Sequence, residues 1–412
     1  MTNTSPTPHE TDRRGYALIT TSYWGFTITD GALRMLVLLH FYNLGYTPLQ
    51  IASLFLFYEF FGVVTNLVGG WIAGHFGLKS TLAGGLALQV LALTMLGLLN
   101  PSWPMAASVV YVMTAQALSG IAKDLVKMSS KSSVKLLVQE GQQGALFKWV
   151  AILTGSKNAL KGFGFFVGGA LLGWLGFEKS LYTMALALAI IWLLAMLYVS
   201  ASTGRIEGKV KLTNLFSRSA AINRLSAARF FLFGSRDVWF VVGLPLYLAA
   251  QLQWPYARVG AFLAAWVIGY GLVQMLVPVL ISRERQQRSS SAAVAALLLT
   301  TGLGAMVFAI WQEWSPQLTV IIGLSVYGFL FAINSGIHSY LVLAYGKREH
   351  ITTDVGFYYM ANAGGRLVGT ILSGYLYQTD GLIACMVGSL VFVFFSWLLA
   401  IRLPPITSTA RI

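Results

Sequence analysis

The sequence predicts an all-α polytopic membrane protein: twelve transmembrane helices in two pseudo-symmetric groups of six. Three observations carry that prediction. Of 412 residues, 56% are hydrophobic and only 10% are charged, with mean hydropathy +0.69. A soluble domain carries about 25% charged residues to keep its surface hydrated, so this composition excludes a soluble enzyme of this length, a disordered chain and a coiled coil. Apolar runs of membrane-spanning length recur along the whole chain, and twelve of them need roughly 240 to 280 residues. The cations gather in alternate loops.

The elements follow in order. A polar tail, 1–15, holds Arg13 and Arg14 and lacks the short apolar stretch of a cleavable signal. The spans are read at 16–42, 48–74, 80–99, 104–125, 145–174, 180–201, 225–250, 257–281, 291–311, 317–345, 353–377 and 382–402. Pro48, Pro104 and Pro316 stand near span starts, where a missing N–H is tolerated. Within hydrocarbon every backbone polar group needs a partner in its own segment, so the spans are helices. Tryptophans near span ends, Trp103, Trp254 and Trp314, read as interface anchors.

An even number of spans places both termini on one side, and the charges say which. One set of loops and tails holds Arg13, Arg14, Lys79, Lys127, Lys131, Lys135, Arg205, Lys209, Lys211, Arg218, Arg224, Arg283, Arg285, Arg288, Lys347, Arg348, Arg402 and Arg411; the opposite set holds Lys179 and Arg258. The first set is expected to be cytoplasmic, which accounts for most of the net charge of +14 without nucleic acid. The longest loop, 202–224, is basic and separates a six-helix bundle, 16–201, from a second, 225–403, followed by a tail, 404–412. Six plus six around a basic central loop resembles the major facilitator architecture, in which each half holds inverted repeats. A trace of the repeat survives: Lys161, Gly164 and Gly169 on span five have the spacing of Arg366, Gly369 and Gly374 on span eleven. The loop after span two, Gly70-Trp71-Ile72-Ala73-Gly74-His75-Phe76-Gly77-Leu78-Lys79, is similar to the superfamily's signature loop, with Gly74 and His75 in place of its Asp and Arg. The loop salt bridge of the superfamily is therefore in question here, and gating contacts are expected elsewhere.

Charges at membrane depth are few and informative, because each costs about 2.5 to 3.5 kcal/mol by insertion scales. Span one carries Asp30 and Arg34, span two Glu59, span five Lys157 and Lys161, span seven Arg236 and Asp237, and span eleven Arg366. Asp30 and Arg34 are four apart and can pair on one helix face, while Lys157 and Lys161, also four apart, repel and call for an anion between or opposite them. Lys157 lies roughly 16 Å of helix rise into its span, with Asn158 beside it as a neutral donor and acceptor. Five cations against three acids leave a surplus that suits a multiply charged anion, and guanidinium matches phosphate-like oxyanions in bidentate geometry. The alternative is internal salt bridging: Asp30 with Arg34, Asp237 with a neighbouring cation, Glu59 with Lys157 or Arg366. Lys123, Lys127, Lys131 and Lys135 form a stripe at four-residue steps, with Asp124 among them, read as a solvated face near anionic lipid or as an electropositive entrance.

Asn66, Gln116, Gln274, Asn334, His338, Tyr358, Tyr359 and Asn362 also fall inside spans; they can line a cavity or, more commonly, bond between helices. No phosphate-binding loop, metal-ligand spacing or nucleophile motif appears in a cytoplasmic segment, so neither an enzyme, a cofactor nor a metal site is expected. One cysteine, Cys385, permits no intramolecular disulfide.

Four segments carry a narrower resemblance: WGFTITDGALRMLVLL from Trp24, FLFYEFFGVVTNLVGG from Phe55, QALSGIAKDLVKMSSKSSVK from Gln116 and GALFKWVAILTGSKNALKGFGFFVGG from Gly144. With RDVWFVVGLP from Arg236, they resemble the organoarsenical efflux permeases (ArsJ type) of bacterial arsenic-resistance operons. The resemblance implies efflux of 1-arseno-3-phosphoglycerate across the bacterial inner membrane, both termini cytoplasmic. That compound forms when glyceraldehyde-3-phosphate dehydrogenase uses arsenate in place of phosphate, so the dehydrogenase is the implied functional partner. On this reading Arg34, Lys157, Lys161, Arg236 and Arg366, with Asn158, bind substrate, and Asp30, Glu59 or Asp237 couples transport to protons in an antiporter. A lone cysteine fits pentavalent arsenic, since an arsenite site would use several thiolates. A permease for another organophosphate or organic anion is the alternative; a membrane sensor is disfavoured by the short loops.

Overall fold

The computed structural model describes residues 8–137, 143–199, 219–280, 289–346 and 351–405. The helices are α1 (Pro8–Asn43), α2 (Pro48–Leu54), α3 (Leu56–Phe76), α4 (Leu78–Gly97), α5 (Met105–Leu137), α6 (Gln143–Tyr198), α7 (Ala220–Phe240), α8 (Gly243–Leu246), α9 (Tyr256–Leu280), α10 (Ser290–Trp311), α11 (Pro316–Tyr345) and α12 (Ile351–Ile401). A single π turn, Tyr247–Gln251, continues α8. No strand occurs among the described residues.

Two helices are too long to be single spans. α6 has 56 residues and α12 has 51, about 84 and 77 Å if straight against a hydrocarbon core of about 30 Å. Each breaks where a glycine adopts positive φ: Gly176 (φ 74°) in α6 and Gly381 (φ 68°), beside Asp380, in α12. Spans five and six are thus the two limbs of α6, and spans eleven and twelve the limbs of α12. By length and composition alone nine stretches of the described chain can cross a membrane, and two of these contain the kinks. α1, with Asp30 and Arg34, is not among the nine.

Several expected boundaries move. Span two is interrupted at Phe55, dividing α2 from α3. Span four continues as helix to Leu137. Span seven starts at Ala220, five residues before the expected 225, and loosens after Phe240. There the Ser373 hydroxyl accepts from the Val242 and Gly243 amides (3.2 and 3.1 Å), satisfying N–H groups that hydrocarbon would leave bare. The basic linker lies outside the described residues from 202 to 218, as do Arg283, Arg285, Arg288, Lys347, Arg348 and Arg411. So do the side chains of Arg13, Arg14, His75, Lys131 and Lys135.

The sequence repeat is realised in contacts. On the first limb of α6, Gly164 lies against α1, where an added Cβ would come 2.5 Å from the Ile28 oxygen; on the first limb of α12, Gly369 lies against α7, 2.7 Å from the Gly234 oxygen. Gly169 meets the Tyr256 oxygen at the start of α9, and Gly374 meets the Pro48 oxygen at the start of α2, at 2.5 and 2.6 Å from such a Cβ. Small residues let helix backbones approach this closely. α6 and α12 therefore each hold one helix of their own half and reach one helix of the other. At this end the halves are further tied by Leu49 N donating to Gln378 Oε1 (3.3 Å) and by Tyr256 OH on Asn43 Oδ1.

Candidate functional site

The charged residues at membrane depth converge where α1, α3, α6, α7 and α12 meet. Arg34 on α1 and Arg366 on α12 both donate to Oε1 of Glu59 on α3, at 2.5 and 2.7 Å. Arg366 Nε also donates to Asp237 Oδ2 at 3.0 Å, and Arg236 holds Asp237 Oδ1 through Nε and Nη2 (2.6 and 2.5 Å). The result is one chain, Arg34–Glu59–Arg366–Asp237–Arg236, that crosses from one half of the molecule to the other. Its carboxylates are dry, whereas Arg236 and Arg366 keep 16% and 18% of their side-chain surface accessible.

Phe55, at the break in span two, lies under the Arg34 guanidinium (5.3 Å to the ring centroid), with the Tyr58 ring at 5.2 Å. Burial is eased because the ring faces carry negative potential. Asp30 does not pair with Arg34 as its i, i+4 spacing suggested. Tyr58 OH donates to Asp30 Oδ1 (2.6 Å) and Lys161 approaches Oδ2 (3.5 Å). The reason is that α3 brings Glu59 to Arg34 while the glycine contact between α1 and α6 brings Lys161 to Asp30. Lys161 and Arg366, equivalent in the repeat, thus each hold an acid on the helix that their glycines pack against, Asp30 on α1 and Asp237 on α7. Asp30 is the anion that the Lys157–Lys161 pair called for, opposite Lys161. Asn158 Nδ2 donates across the halves to Gln274 Oε1 (3.4 Å). Lys157, one turn away, is half-buried.

The lysine stripe is not a solvated face at its near end. Lys123 Nζ lies 4.0 Å above the Tyr58 ring. Lys127 bonds Asp124 Oδ1 (2.5 Å) and Asn66 Oδ1 (2.8 Å), and Thr65 donates to Asp124 Oδ2 (2.5 Å). α3 and α5 are therefore joined by a buried polar cluster close to the loop whose Asp and Arg are replaced. Sequence reasoning missed Lys123 because a four-residue lysine repeat reads as a wet surface. It also missed Arg229, which is 3% exposed on α7. The earlier start of α7 takes Arg229 to nine residues, about 14 Å, inside the helix. The signal was its spacing: Arg229, Phe233 and Arg236 share one face.

A closed all-helical bundle with an ion-paired centre between two halves defines a multi-pass transporter fold. The family described as the Major Facilitator Superfamily matches residues 17–345, and the chain belongs to it. Solved structures agree on the fold. A bacterial homologue of the iron transporter ferroportin in an inward-facing state has TM-score 0.70 at 16% identity, covering 97% of this chain and 99% of that one. A POT family transporter in complex with a thioalcohol-conjugated peptide has TM-score 0.75 at 13% identity, with 96% and 97% covered. The nucleoside transporter NupG (a point mutant) has TM-score 0.67 at 16% identity, with 94% and 98% covered. No curated protein matches the chain.

Proposed function

We propose that the protein is an alternating-access exporter of an organic anion, with 1-arseno-3-phosphoglycerate as cargo. In this role it confers arsenate resistance together with glyceraldehyde-3-phosphate dehydrogenase. The observation that carries the anionic class is the ion chain: three arginines share two carboxylates, leaving one positive charge unmatched at the junction of the halves. An oxyanion competes with Glu59 and Asp237 for these guanidinium groups, where bidentate geometry favours it. The arsenical cargo rests on the sequence resemblance.

Of the three acids, Glu59 alone bridges the halves among the described contacts. Asp30 is held by Lys161 and Tyr58, and Asp237 by Arg236 and Arg366. Substrate on Arg34 and Arg366 releases Glu59, which then takes a proton; loss of that proton restores the bridge and expels the anion. Proton and substrate thus compete for the same positive charge, the condition for antiport. The two six-helix units, 16–201 and 225–403, rock about this point. The protein belongs in the bacterial inner membrane with both termini cytoplasmic, supported by the loop cations.

The test is arsenate resistance in cells that co-express the dehydrogenase. Wild type should confer it, and Arg236→Ala or Lys161→Ala should abolish it with the protein still in the membrane. Resistance retained in each single variant of Arg34, Lys157, Lys161, Arg236 and Arg366 overturns the site. Resistance without any dehydrogenase overturns the cargo. Because guanidinium does not distinguish arsenate from phosphate, a permease for another organophosphate is the second reading. Vesicle transport of 3-phosphoglycerate unaffected by arsenate would favour it.

A further inference from the structure

A second polar cluster sits in the second half of the chain, beside the ion chain. Arg229 on α7 donates through Nη1 to the Ser335 carbonyl (3.2 Å) and hydroxyl (3.1 Å) on α11. Its guanidinium lies 3.8 Å over the Phe233 ring and 5.1 Å over the Tyr358 ring. No described Asp or Glu forms a salt bridge with it. Near it stand polar groups that are fully buried and have no hydrogen-bond partner among the described residues: both nitrogens of His338 and the Tyr358 hydroxyl, with both amide atoms of Asn334, next to Ser335 and one turn before His338 on α11, equally without one. Arg229 Nε is likewise without one. A lone buried cation surrounded by idle donors is an expensive arrangement for an apolar interior, and every one of these side chains can donate to an anion.

The cluster is continuous with the ion chain. Arg229 and Arg236 are seven apart on α7, and their guanidinium carbons lie 3.8 and 5.1 Å from the same Phe233 centroid. They are therefore within about 9 Å of each other, with an aromatic face between them that both cations share. On α12, Tyr358, Asn362 and Arg366 repeat at four-residue steps along one face.

We propose that Arg229, with Ser335, Asn334, His338 and Tyr358, forms a second oxyanion subsite, which takes the far acid group of a two-ended organic anion held at Arg236 and Arg366 by its other end. The inference rests on the proposed anion transport and narrows it to a cargo with an acid group at both ends of a short chain. The subsite is shut in this conformation; the α11 and α12 side chains must part for it to fill.

The experiment compares 3-phosphoglycerate, which has two acid ends, with inorganic phosphate, which has one, by binding to the purified full-length protein. Wild type should prefer 3-phosphoglycerate by about tenfold or more, the scale of one added charge-assisted contact. Arg229→Gln should lower 3-phosphoglycerate affinity far more than phosphate affinity and so erase that preference. His338→Leu removes two unpartnered nitrogens, so it should raise thermal stability and still lower the preference. A merely structural role would leave the preference intact in either variant, and that result overturns the subsite. Equal loss of both anions in Arg229→Gln overturns it too. Wild type binding both anions alike defeats the subsite alone; wild type binding neither defeats the anion reading along with it.

Discussion

Glu59 is the residue on which the site depends. One of its oxygens accepts from two arginines that belong to different halves, and it is fully buried. Glu59→Gln leaves Arg34 and Arg366 facing one another with no charge between them. Removing one partner of a buried pair costs about 3 to 5 kcal/mol, so the variant should unfold at markedly lower temperature in detergent. Glu59→Gln with Arg366→Gln should recover part of the loss, because the second change removes one stranded cation. The same scale explains a misreading of the sequence. An i, i+4 pair such as Asp30 and Arg34 is the natural partner choice on an isolated helix. In a bundle the choice passes to neighbouring helices, and α3 supplies a carboxylate to Arg34.

At the level of elements, glycine sets the geometry. Gly365 on α12 packs so closely on the Phe230 carbonyl of α7 that no Cβ fits, whereas a Cβ at Gly304 on α10 meets open space. Gly365→Ala should push α7 from α12 and cost about 1 to 3 kcal/mol by overpacking, shifting Arg366 away from Asp237 and reducing transport. Gly304→Ala should leave thermal unfolding and transport near wild type. Measured side by side, the two separate helix contact from any general effect of glycine replacement. The spacing Lys161–Gly164–Gly169 and Arg366–Gly369–Gly374 was legible because the same two duties recur: a cation aimed at the acid of a partner helix, and glycines that admit backbone. The break at Phe55 left no such mark, since no Pro or Gly signals it.

For the whole molecule, one end of the interface between the halves is latched by Leu49 on Gln378 and by Tyr256 on Asn43. Alternating access requires this end to part. In a Cys385→Ser background, which removes the one native thiol, Leu49→Cys with Gln378→Cys should crosslink readily. The crosslink should stop transport, and reduction should restore it. Transport that persists with the link formed would mean the halves do not separate here.

The sequence by itself determined that this is a helical membrane protein, that cations gather in alternate loops, that two spans share one cation–glycine spacing and that unusual charges lie within spans. Those properties follow from local composition: hydropathy, alternation of loop charge and spacing along one helix. Only the tertiary structure decided which acid meets which cation, that Lys123 leaves the wet stripe for the Tyr58 ring, and that Arg229 lies inside with no salt bridge to a described Asp or Glu. Such outcomes depend on which faces of distant helices the glycine contacts bring together. At low dielectric each buried charge is governed by its nearest partners in space rather than by its neighbours in the chain.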